Sequence, residues 1–423
     1  MMKALIVWIS LCGAALSAQS TQTGVAVTAA DVSPLSKLIQ EAQQNNPEIR
    51  AMAHSYAAAS RSAGSAGALP DTQIMLQHLS VGSPRPFAGY TNSDFAYIGL
   101  GASQELPWPG KRKLRSQAAA LQADVAGAEA GAVSRTVMEQ LKVSYYRLAY
   151  LQQTIAILER DGKLLSDMEE TAESRYRVGK ASQQEVLKAQ LQRTRLLQDI
   201  TRNKSEQAVE QTQIKRLLGR PQNSADIMAE PLRERVLPDD LPELFREAAE
   251  KNPEIAARKA SAALAGKMVE LAHKEFRPDF GVQYMYQNTD RRFRDYYMAT
   301  FTVTLPNRGR RRAELAQALE EQQAAGASLD AEMQRRMADI AEQYQHARES
   351  AEQLKIYREG LMPQAEATFR AAMAAYQSNR QDFETLLSSF RDVLQFEQDY
   401  QKQLSEHESA LARLESLTGV TLP

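Results

Sequence analysis

Asn46-Pro47-Glu48-Ile49 and Asn252-Pro253-Glu254-Ile255 are the same four residues 206 positions apart, and the reading of the whole chain follows from that repetition. Working outward, Pro70-Asp71 returns as Pro278-Asp279, and Leu106-Pro107 with Gly110 and a basic run returns as Leu305-Pro306 with Gly309 and its own basic run. Further on, Tyr176 and Leu187 match Tyr376 and Leu387, and Leu217-Leu218-Gly219 matches Leu417-Thr418-Gly419. All offsets lie between 199 and 208 residues, so the 423-residue chain is two copies of one long unit. Such a period marks a structural repeat before any finer assignment is made. The first copy covers 19–219 and the second 243–423, joined by a linker over 220–242 that holds Pro221, Pro231, Pro238 and Pro242.

Each copy reads as a short helix, a β-hairpin and two very long helices. No proline lies between Pro109 and Pro221 or between Pro306 and Pro363. Both stretches are rich in Ala, Gln, Glu, Arg and Leu, which favour helix. The long helices are therefore expected over 110–219 and 309–419. A continuous helix from Gly110 to Gly179 would reach ~100 Å at about 1.5 Å per residue. From Gln364 to Thr418 there is neither proline nor glycine. Within it Phe383, Leu386, Phe390, Val393, Tyr400, Leu404, Leu411 and Leu414 alternate spacings of three and four, interrupted by Glu397 and His407, which reads as a coiled-coil seam.

The hairpins, about 70–106 and 278–305, alternate with period two. Phe280, Val282, Tyr284 and Tyr286 share one face with Tyr297, Ala299, Phe301, Val303 and Leu305, opposite Gly281, Gln283, Met285, Gln287, Met298, Thr300, Thr302 and Thr304. Apolar and aromatic on one side, more polar on the other, this ribbon fits a barrel wall between lipid and water. A soluble hairpin half-buried on helices would alternate too, but two such hairpins at a fixed offset favour the barrel. In the first hairpin, strands near Thr72–Leu79 and Asp94–Glu105 flank a Gly-, Pro-, Ser- and Asn-rich connection from Ser80 to Ser93, read as an exposed loop. Four strands cannot close a barrel, and open edges are not viable in hydrocarbon, so several chains must share one.

Lys3, the apolar run Ala4–Ala15 and small residues at Ser17 and Ala18 read as a secretory signal peptide over 1–18. The run is shorter than the ~20 residues of a membrane-spanning helix. Cys12, the only cysteine, falls inside it, so the exported chain has no thiol chemistry; Leu11 just before it argues against lipid attachment. With 51 basic and 52 acidic side chains nothing points to nucleic acid. A mean hydropathy of -0.46 excludes a polytopic helical protein. The five histidines are scattered, Glu342, His346 and Glu349 read as an exposed helix face, and no phosphate-binding or dinucleotide motif occurs. Neither catalysis nor a cofactor is expected.

In order and spacing, these features resemble the TolC-type outer-membrane factor family over essentially the whole mature chain. The motifs are the doubled helix, hairpin and helix-pair plan, the Leu-Pro-x-x-Gly-basic turn after each hairpin, and Tyr176-Arg177-Val178-Gly179 at the family's Tyr-x-Val-Gly turn. The resemblance implies a mainly α fold with a small membrane β-barrel: a homotrimer whose shared barrel continues as an α-helical tunnel across the periplasm. It also implies a periplasmic adaptor, an inner-membrane pump that supplies the energy, and an outer-membrane location. Leu106 to Arg112 looks most like members associated with heavy-metal pumps, so metal ions or small toxic compounds are the cargo expected. Type I protein secretion uses the same duct, and a periplasmic coiled-coil adaptor without a barrel is the rival of another class.

Two groups of residues are singled out. Gly179 and Asn379 tolerate the left-handed conformation that ends a helix and should mark turns at the periplasmic tip. There the resemblance implies an adaptor-docking surface, with Tyr176 and Val178, and a closing contact between an acid and a tyrosine at Glu185 and Tyr376. The family's supporting arginine falls on Gln381, leaving Arg380 or Arg177 to replace it. Its acidic pore ring falls on Thr385 and Ser388, leaving Asp382 or Glu384 to build one. The second group is two basic collars, Lys111, Arg112, Lys113 and Arg115, and Arg308, Arg310, Arg311 and Arg312, in the first turns of long helices. Positive charge there opposes the helix dipole. Anchoring on anionic headgroups at the periplasmic leaflet would compensate.

Overall fold

The computed structural model describes residues 32–80, 96–237, 240–289 and 295–422. The signal segment 1–18 with Cys12, and all but Ser80 of the Ser80–Ser93 connection, lie outside the described residues.

The first copy runs α1 (Leu35–Asn45), α2 (Pro47–Ala66), β1 (Gln73–Leu79), β2 (Tyr97–Leu106), α3 (Lys111–Arg177) and α4 (Gln183–Leu218). The second runs α5 (Leu241–Lys251), α6 (Pro253–Lys274), β3 (Asp279–Asn288), β4 (Tyr296–Thr304), α7 (Arg308–Ile356), α8 (Met362–Gln377) and α9 (Phe383–Thr418). Two corrections to the sequence reading follow. Each hairpin is preceded by two helices, not one short one, because the residue before a proline is pushed out of the α region; Asn46 sits at ψ 125° and Asn252 at ψ 124°. The long second-copy helix is interrupted by a π turn over Tyr357–Leu361, just ahead of Pro363, whose missing N–H disturbs the helical ladder.

The asparagine of each repeated tetrapeptide joins two helices end to end. The Asn46 side chain accepts from the amides of Glu48 (2.8 Å) and Ile49 (3.1 Å) at the start of α2, while its Nδ2 donates to Leu217 O (2.8 Å) at the end of α4. Asn252 accepts from Ile255 N (3.0 Å) and donates to Leu417 O (2.8 Å) on α9. Both asparagines are 1% exposed. The close approach requires glycine at each helix end. Gly219 has φ 69° and Gly419 φ 80°, and a Cβ on either would stand 2.8 Å from a backbone oxygen, of Asn45 or Lys251 respectively.

Along α3, Arg112 bonds Gly67 O and Ser116 bonds Ala63 O on α2, whereas Arg147 meets Glu206 and Glu210, Glu159 meets Lys204, and Glu169 meets Arg193 on α4. Thus α2 and α4 follow one path antiparallel to α3, α2 continuing where α4 stops. Leu38, Leu141, Leu148, Ile214 and Leu217 pack at that junction, and Leu244, Ile340, Leu411 and Leu414 at its counterpart. A third apolar cluster, with Leu165, Met168, Leu196, Phe383, Leu386 and Phe390, fills the far end of the helices.

The seam on α9 is wider than its heptad pattern. Leu387 and Leu394 are buried too, while Val393 and Tyr400 are only half-buried, because α9 packs on α3, α7 and α8 together. His407 is wholly buried, its ring nitrogens meeting Ala347 O (3.0 Å) and Arg235 O (2.9 Å). Arg235 also pairs with Glu408 (2.6 Å) and Glu415 (2.9 Å), and Gln211 exchanges two hydrogen bonds with the backbone of Ile227. The linker is thus a fastened strap.

The four strands form one antiparallel sheet in the order β1-β2-β3-β4, so the two copies meet at the β2–β3 pairing. Val282 opposes Phe301, Tyr284 opposes Ala299, and Leu100 stands between Leu76 and Tyr286. One face therefore gathers Ile74, Leu76, Leu100, Tyr284, Tyr297 and Phe301, all between 54% and 70% exposed. On the other face Met285 is 0% and Gln287 8% exposed. Among the described residues β1 and β4 each have one unpaired edge.

Replacing Asn46 or Asn252 by alanine should destabilise the protein by about 1–3 kcal/mol, through loss of an N-cap and a stranded helix-end carbonyl. Thermal unfolding measures this, and a change no larger than that of an exposed Gln198→Ala control on α4 would rule out the clasp.

Candidate functional site

The tips of the two helical hairpins are built alike. Gly179 has φ 72° and Asn379 φ 61°, the only non-glycine residue with positive φ among those described. In both turns an amide bonds back five residues: Lys180 N to Arg175 O and Arg380 N to Ala375 O, each 2.8 Å. These close the helix ends as glycine- and asparagine-terminated helices generally do. Each returning helix is then capped by side chains. Glu185 Oε1 accepts from Ser182 N (3.1 Å), and Asp382 Oδ1 accepts from Thr385 N (3.0 Å).

Tyr376 connects the two hairpins. Its hydroxyl donates to Glu185 Oε2 (3.0 Å), so one carboxylate both caps its own helix and receives the tyrosine. The ring is 2% exposed and meets Phe383 edge-on with centroids 5.5 Å apart. Burial, reinforced by the Glu185 hydrogen bond, pushes the phenol up to about 12. At neutral pH it is a fixed donor.

The cation beside this contact is Arg175. Its guanidinium lies 4.4 Å from the Tyr376 ring centroid and donates to Tyr376 O (2.6 Å) and Asn379 Oδ1 (2.5 Å). Arg177 reaches only Ser174 Oγ (3.5 Å), while Arg380 and Gln381 are exposed. The repeat comparison had no means of finding Arg175, because its counterpart is Ala375. Its one sequence signal is its place just before the Tyr-x-Val-Gly turn. Tyr176, the repeat partner of Tyr376, is 47% exposed, and Val178 is 67% exposed. Both candidate ring acids already have partners. Thr385 holds Asp382 below the usual carboxylate range, and Lys188 does the same for Glu384, which Arg391 also approaches (3.7 Å).

At the other end of the long helices the collars divide, which corrects their common reading as headgroup anchors. Lys111 is 0% exposed: its Nζ lies 2.9 Å from both Asp279 oxygens, 3.1 Å from Glu275 Oε2 and 3.1 Å from Arg277 O. Arg115 (3.0 Å) and Arg311 (3.2 Å) converge on the same Glu275, and Arg112 bonds the end of α2. The acids that turn these cations inward lie about the end of α6, more than 150 residues from Lys111 in sequence. Lys113, Arg308, Arg310 and Arg312 remain on the surface. Trp108 stacks near Phe280 (5.7 Å) at the foot of the exposed apolar sheet face.

Among the described residues no group of His, Cys, Asp and Glu is arranged to hold a metal ion, and no helix is long and apolar enough to cross a membrane. His346 lies 3.7 Å from Glu342 on an exposed helix face.

The geometry agrees with what known proteins show. The chain is similar in fold to a CusC crystal structure whose title refers to transmembrane channel formation (17% identity, TM-score 0.80, 91% of this chain and 92% of that one). It is similar to the outer membrane protein VceC of Vibrio cholerae (19% identity, TM-score 0.77, 92% and 97%) and to the open MtrE outer membrane channel of Neisseria gonorrhoeae (18% identity, TM-score 0.75, 92% and 89%). No curated protein sequence matches it. The model of the outer membrane efflux protein family matches residues 38–220 and 244–420, one span in each copy and together most of the chain. The chain belongs to the outer membrane efflux protein family.

Proposed function

We propose that three copies of this chain, each giving four strands, close one barrel in the outer membrane and continue it as a helical tunnel, a passive exit duct completed by a periplasmic adaptor and an inner-membrane pump. The observation that carries this is the sheet: a broad exposed apolar face on strands with two free edges, one at each side. In hydrocarbon those edges must be paired, and closure with further copies pairs them. The copies are exported through a cleaved signal peptide. Cargo is chosen by the pump; metal ions or small toxic compounds are the first reading and secreted proteins the second. The duct acts by opening and closing.

Closure is assigned to the tip. Glu185, Tyr376 and Arg175 hold the two hairpins of one chain together, and the exposed Tyr176 and Val178 offer the adaptor an apolar contact. At the barrel foot, Lys113, Arg308, Arg310 and Arg312 remain available for anionic headgroups.

Four outcomes test this reading. Phe301→Asp or Tyr284→Asp should block the heat-modifiable barrel on gels, because a lipid-facing charge is destabilising, whereas Thr302→Asp should assemble; equal behaviour would overturn the assignment of the faces. Replacing the four surface cations of the collars by glutamine should lower thermal stability in anionic lipid and not in neutral detergent. Lys111→Gln should cost about 1–3 kcal/mol in either, because it leaves the Asp279 carboxylate without its cation. In planar bilayers the Glu185→Ala, Tyr376→Phe double variant and Arg175→Gln should each raise single-channel conductance; unchanged conductance in both would move the closing contact elsewhere.

A further inference from the structure

One level of the sheet differs from its neighbours on the face opposite Tyr284 and Phe301. Met75 pairs with Gly101, Gly101 with Met285, and Met285 with Met298, so one row crossing all four strands carries three thioethers and a glycine. The next row toward one side is Gln77, Gly99, Gln287 and Tyr296, and the next toward the other is Gln73, Ser103, Gln283 and Thr300. Sulfur is thus confined to one level between rows of amides and hydroxyls.

The glycine opens the row. A Cβ on Gly101 would stand 3.3 Å from Met285 Cε, so the methyl end of Met285 reaches over β2 in the direction of β1 and Met75. Neighbouring strands lie about 4.8 Å apart, which places the Met75 and Met285 backbones about 10 Å from each other. Two unbranched thioether side chains are long enough together to span that gap, and Met298 is the direct neighbour of Met285. The sulfur of Met285 already has a polar contact, Gln287 Nε2 at 3.2 Å. Met75 and Met298 are partly open.

Thioethers are soft, uncharged ligands that select Cu(I)-like cations over hard divalent ones. With no carboxylate in the row, such a site holds a cation without trapping it. We propose that Met75, Met285 and Met298 form a transit site for soft monovalent metal cations on the luminal wall of the barrel. The proposal rests on the channel reading only in taking this face as the lumen.

The test uses the full-length trimer in detergent, labelled with methyl-13C methionine and titrated with silver nitrate in chloride-free buffer, with zinc nitrate as the hard control. Silver should shift the methyl signals of Met75, Met285 and Met298, and zinc should not. Substituting all three by leucine, a volume-conserving change, should weaken silver binding in equilibrium dialysis by at least about tenfold. Should the triple variant not assemble, Met75→Leu and Met298→Leu singly should each weaken binding. Equal silver affinity in wild type and variants, or three unmoved methyl signals, would overturn the site. Potassium conductance of the wild-type trimer in planar bilayers judges the channel reading separately: conductance without silver binding removes the site alone, and its absence removes the channel.

Discussion

The rest of the molecule depends on an amide that serves two helix ends at once. The orphan donors at a helix start and the orphan carbonyls at a helix finish both need partners. Asn46 and Asn252 supply one side chain to each pair of ends. A short helix leading to the sheet thereby continues the path of a helix returning from the tip, dipole following dipole. Without that join α2 and α6 would be loose arms, and the hairpins they lead into would have no fixed height above the bundle. Gly219 and Gly419 are its steric condition, since any side chain there would meet a backbone carbonyl.

The buried charge at the foot of the sheet works with this join. Lys111 opens α3 in one copy, while Glu275 closes α6 and Asp279 opens β3 in the other. Their contact fastens the copies beside the β2–β3 pairing, and Asp279 also accepts from Trp108 N. Charges this deeply buried are stable only when paired and hydrogen-bonded. The cluster therefore resists rearrangement. The strap between copies, pinned by His407 and Arg235, gives the same rigidity further along the helices.

At the tips, a carboxylate shared between helix capping and a tyrosine couples local order to the contact between hairpins. Pulling Tyr376 from Glu185 leaves the cap intact, so the hairpins can separate without unravelling. Arg175 adds a bond to the backbone of the opposite turn and a charge over the ring. The positive φ of Asn379 matters here, because the turn it permits carries the oxygen that Arg175 reaches.

How much of this was legible follows from the range of each interaction. The repeat, the proline-free helices, the alternating strands and the left-handed turns at Gly179 and Asn379 depend on neighbours within a few residues, and the sequence by itself determined them. It also determined the family, through the order and spacing of short motifs. The split of each leading helix at Asn46 and Asn252 was visible as a motif, but its purpose was not, since the carbonyl it binds lies 171 or 165 residues away. Only the tertiary structure decided that Lys111 is buried while Lys113 is exposed, that Arg175 rather than Arg177 or Arg380 meets Tyr376, and that three methionines share one row. Each depends on strands or helices brought together from distant sequence. Local pattern fixes which face a residue occupies, whereas its partner is fixed by long-range register and packing.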